Sequence, residues 1–77
     1  MSEETRTVVK ALTGQIEALL PQARTGLGEA RHAEIAGRTG QIRQEALRGV
    51  NEKTLVEDKA WLDQTLADLL GVVRGKT

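Results

Sequence analysis

The chain has 77 residues, and its 11 Lys and Arg balance 11 Asp and Glu to a formal net charge of zero; it contains no Cys. That length holds one helical domain (1–77) and buries only a modest share of its surface. Absent Cys excludes disulfides and thiolate metal sites, and charge neutrality argues against strong non-specific binding to nucleic acid or an anionic membrane.

The apolar residues are ten Leu, six Val, three Ile, one Met, one Trp and nine Ala, with no Phe or Tyr. Ala brings little transfer free energy, so the core is thin, and association of several copies is the simplest way to enlarge it. No basic-then-apolar leader and no run of about 18 apolar residues occurs, so the chain reads as cytoplasmic with no membrane partner.

The first helix is expected over 3–20. Ser2 followed by Glu3 and Glu4 suits a cap and an acidic first turn. Val9, Leu12, Ile16 and Leu19 then alternate steps of three and four, the spacing of a coiled-coil seam, which Val8 and Leu20 widen. Pro21 most simply ends this helix, because the residue before a proline is pushed out of the α region; alternatively it opens the next helix, where its missing amide does no harm.

A second helix is expected over 22–48, weakened by Gly26, Gly28, Gly37 and Gly40. Carrying the frame of the first helix onward puts Ala23, Gly26, Ala30, Ala33, Gly37 and Gly40 on one stripe, small enough for a neighbouring backbone to approach closely. Arg24, Arg31 and Arg38 recur every seven residues and, with Arg43, could contact phosphates or an acidic partner. Charges at that spacing more often flank a helix interface or face water. The tetrapeptide Thr13-Gly14-Gln15-Ile16 recurs as Thr39-Gly40-Gln41-Ile42, too short an echo to establish a repeat.

Gly49 can stop the second helix, and a third is expected over 52–71, with a frayed tail at 74–77. Leu55, Leu62, Leu66, Leu69 and Val73 form its apolar stripe, with Glu57, Asp58, Asp63, Gln64 and Asp68 largely on the other side. Thr54 and Glu57 have capping-box spacing, and Gly71 could close the helix at Leu70. Trp61 is the sole aromatic residue.

Chemistry-bearing constellations are few. One His, one Ser beside the start Met and no Cys give no nucleophilic triad, and no phosphate-binding glycine loop is present. Glu29-Ala30-Arg31-His32 has the Glu-x-x-His spacing that resembles the metal-binding half-motif of ferritin-like carboxylate bundles, and Glu17 could face it in a hairpin. Thr65 to Thr77 resembles the first helix and turn of a helix-turn-helix motif, with Ala67 at the crossing and Gly71 in the turn.

The expected architecture is all-α: a small antiparallel three-helix bundle, or a helical hairpin plus a third helix, completed by homo-oligomerisation. The leading expectation is a non-enzymatic, cofactor-free oligomerisation and protein-interaction module, an accessory, regulatory or assembly subunit that pairs with itself, most simply as a dimer, and with another protein. Its interface would comprise Val9, Leu12, Ile16, Leu19, Leu55, Trp61, Leu62, Leu66 and Leu69. Two alternatives stand beside it: a nucleic-acid-binding regulator using Arg24, Arg31, Arg38 and Arg43, and a half-bundle metal protein using Glu17, Glu29 and His32.

Overall fold

A computed structural model describes residues 2–49 and 51–75. They form three helices, α1 (Ser2–Leu27), α2 (Glu29–Arg48) and α3 (Glu52–Gly75), and no strand occurs among the described residues. Arg6 lies against Gly49, Glu17 pairs with Arg43, and Gly26 abuts Val72. The chain therefore runs up, down and up, with α2 antiparallel to α1 and α3 parallel to it. α1 packs along both of the others, whereas α2 and α3 meet over a short stretch only. The result is a hairpin with a third helix docked on its first arm, 40 Å long and 19 by 16 Å across.

Pro21 does not end α1, which continues to Leu27. A proline inside a helix removes one backbone hydrogen bond and costs about 3 kcal/mol. Here the ring points to solvent while Leu20 and Ala23, on either side, are buried in the core. Leu27, one turn beyond Ala23, also packs against that core. These contacts carry α1 past a residue that local propensity marks as a stop.

The break falls at Gly28 instead, so the expected 22–48 helix is divided between α1 and α2. Gly28 adopts φ 86° and ψ 157°, a backbone region that costs a side-chain-bearing residue dearly. The break resets the helical frame. Ala30, Ala33 and Gly37, expected on a small-residue stripe, are exposed, and α2 buries Ile35, Thr39, Ile42 and Ala46. The tetrapeptide echo acquires a structural meaning here: Thr13 and Ile16 in α1, and Thr39 and Ile42 in α2, are all buried.

Gly49, with φ 86°, closes α2 as expected, its N–H donating to the Glu45 carbonyl at 2.9 Å. Asn51 rather than Thr54 caps α3, since its Oδ1 accepts the Thr54 N–H at 2.9 Å. Gly71 does not terminate α3, which includes Arg74 and Gly75; a glycine inside a helix costs about 1 kcal/mol, and the flanking Leu69 and Val72 pack on the core. The expected Ser2 side-chain cap, Val50 in the connection, and Lys76 and Thr77 in the tail lie outside the described residues.

Candidate functional site

The seam that sequence spacing offers to a second chain is filled from within one. Val9, Leu12 and Ile16 of α1 join Leu55, Leu62 and Leu69 of α3 in the buried core, while Leu19 and Leu66 pack half-buried at its margin. Trp61 is also half-buried, and the Arg38 guanidinium lies 4.9 Å from its ring centroid, within cation–π range.

The Arg series finds partners inside the chain. Arg24 bonds Glu29 across the Gly28 turn at 2.8 Å, Arg31 bonds Glu34 one turn along α2 at 3.0 Å, and Arg43 bonds Glu17 between α2 and α1. Because Gly28 separates Arg24 from Arg31, the seven-residue ladder is not continuous. The metal set is likewise dispersed. Glu17 stands opposite Arg43, three turns of α2 from His32, or about 16 Å, and Glu29 is held by Arg24. Among the described residues, no three His, Asp or Glu converge as metal ligands would. The helix-turn-helix likeness loses its turn, since α3 runs unbroken through Gly71.

What the structure does assemble is a polar cleft of about 100 Å³ on the narrow line where α2 meets α3, walled by Arg38, Gln41, Ile42, Glu45, Thr54 and Asp58. Asp58 is its unusual member. It was expected on the polar side of α3, yet it is only 6% exposed. The reason is register: Leu55, Asp58, Leu62, Thr65 and Leu69 step by three and four, so Asp58 occupies a core position of the same stripe.

Burial pushes the Asp58 carboxyl up to about 6 from an ordinary 3.8, helped by a hydrogen bond and charge from Glu45 and by Glu57, and opposed by Arg38. Asp58 Oδ2 and the Thr39 hydroxyl are buried with no hydrogen-bond partner. Two ionised carboxyls repel, so facing Glu45 across the cleft favours a proton on Asp58. Sequence reasoning passed over Asp58, Thr39 and Glu45, because a stripe traced through Leu and Ile alone skips the polar residues that share it.

No protein-family model, curated protein or solved structure matches this chain. Among the described residues, no helix is long and apolar enough to cross a membrane. Among the described residues, the exposed large apolar side chains are Val8, Leu47 and Val56, at 39%, 60% and 52% exposure. Val8 and Val56 lie near the starts of α1 and α3, and Leu47 near the end of α2. All three thus sit toward one end of the bundle.

Proposed function

We propose that this protein is a non-enzymatic helical interaction module, an accessory or assembly subunit whose first partner is a second copy of itself. The association surface is the bundle end that carries Val8, Leu47 and Val56, rather than the internal seam. The observation carrying this reading is the concentration of exposed large hydrophobics at that end, where each remains costly to leave in water. Zero net charge supports a like partner, since two neutral copies approach without long-range repulsion. A chain this short also gains more than a large one from burying further apolar surface.

Light scattering across a dilution series tests it. A dimer at micromolar concentration should dissociate on dilution, and the double substitution Leu47→Glu with Val56→Glu should weaken it at least about tenfold, or 1.4 kcal/mol, at unchanged helical circular dichroism. A folded wild-type monomer throughout the micromolar range would overturn the reading.

A further inference from the structure

We infer that Glu45 of α2 and Asp58 of α3 form a proton-operated latch: one shared proton holds these two helices together, and its loss to solvent lets α2 move off α3. The inference is independent of the dimer proposed above, because both carboxyls belong to one chain.

Four observations meet at this place. Asp58 is more than nine-tenths buried, and its Oδ2 has no hydrogen-bond partner. Glu45 lies across the same cleft on the opposing helix and favours the protonated form of Asp58. Both line the same cleft, so water can reach the pair and carry a proton away. The contact they bridge is the least extensive of the three helix pairings, so little apolar packing would oppose its opening. When the proton is present, the Asp58 hydroxyl donates to a Glu45 carboxylate oxygen. When it leaves, two negative charges face each other across the seam, and like charges there favour separation.

A metal ion would be the other way to neutralise the pair. The surrounding charges argue against it. Arg38 already brings a guanidinium into the same wall, which offsets one of the two carboxylates and repels an added cation. A single proton is what the remaining imbalance requires. The other charges near the pair are Glu57 on α3 itself and, from α1, Arg6, whose guanidinium lies at Gly49, one turn beyond Glu45. The α1 residues turned into the core beside them, Val9, Leu12, Thr13 and Ile16, are uncharged.

Trp61 reports the latch directly, because its ring on α3 lies under Arg38 of α2. With Asp58 shifted from 3.8 to about 6, and each pKa unit worth a factor of ten, the opening equilibrium should rise by up to about a hundredfold between pH 4 and pH 7.5. Trp61 emission on the full chain should follow a one-proton transition, and α2 amides near Glu45 should lose hydrogen-exchange protection after correction for intrinsic rates. Asp58→Asn should abolish the transition, and Glu45→Gln should move it to lower pH and shrink it, because burial of Asp58 remains while the facing charge is gone. His32→Gln, a substitution about 20 Å along α2 from Glu45, should leave it intact. A transition that survives Asp58→Asn, or that disappears with His32→Gln, overturns the inference. So does carbon-detected titration of the wild type in which Asp58 ionises at an ordinary aspartate value, a measurement that needs no variant to fold.

Discussion

Gly26 and Gly37 show how differently one residue type can be used within a short span. A Cβ built on Gly26 would lie 2.5 Å from Val72 Cγ1, whereas one on Gly37 would meet nothing within 4 Å. Helix propensity alone favours Ala at both positions by about 1 kcal/mol. Gly37→Ala should therefore stabilise the fold by about that amount, and Gly26→Ala should destabilise it by about 1–2 kcal/mol because overpacking outweighs the propensity gain. Urea unfolding of the two variants decides this, and equal effects would mean that the α1–α3 contact at Val72 is loose. Asp58 makes the complementary point for charge. Its folded pKa, about 6 against 3.8, lies above the unfolded one, so the folded chain holds the proton more tightly. The stabilisation this provides is complete below about pH 4, declines as pH rises, and is lost above about pH 6. Two pKa units correspond to about 3 kcal/mol. Asp58→Asn keeps the shape and a donor toward Glu45 without ionising. The stability of wild type minus that of Asp58→Asn should accordingly fall by about 3 kcal/mol from pH 4 to pH 7 in denaturant titrations; a difference independent of pH would show that Asp58 is not buried as described.

At the level of the helices, the all-α class and the Leu-rich stripes were legible because a 3.6-residue period needs only a few large side chains to declare itself. The third helix was read from Leu55, Leu62, Leu66 and Leu69, and the core does contain three of these fully buried. What escaped were the decisions made by tertiary contact. Pro21 carries a local stop signal, and only the burial of Leu20 and Ala23 around it reveals why α1 continues. Gly28 looked like one of several weak points, and only its positive φ distinguishes it from Gly37 or Gly40. In α2 the core stripe uses Thr39 and Ala46 between and after two Ile, so hydrophobicity alone could not trace it. Pro21→Ala offers a direct measure of the first of these conflicts. Restoring an amide in mid-helix returns about 3 kcal/mol, less about 1 kcal/mol for the freer unfolded chain, so the variant should be about 2 kcal/mol more stable in urea. No gain would indicate that α1 relaxes around Pro21 without strain.

In the whole molecule, the unequal pairing of the helices sets the order in which the fold gives way. α1 and α3 lie parallel and share most of the large buried side chains, among them Val9, Leu12, Ile16 and Leu20 against Leu55, Leu62 and Leu69. α2 contributes two large apolar residues, Ile35 and Ile42, with Thr39 and Ala46 filling the remaining positions. At about 1.5–3 kcal/mol for each fully buried large side chain, α2 contributes roughly half as much burial as α1 and two thirds as much as α3. The Thr39 hydroxyl, buried without a partner, weakens it further. Both ends of α2 are glycines at positive φ, Gly28 and Gly49, so it can detach as a unit without disturbing the backbone of α1 or α3. Partial opening should therefore release α2 first and leave the α1–α3 pair associated. Native-state hydrogen exchange in low urea should show α2 amides exchanging together at a lower free energy than those around Ile16 and Leu62. Protection of α2 equal to that of α1 would mean that the three helices unfold as one unit, and that the short α2–α3 seam is stronger than its packing implies.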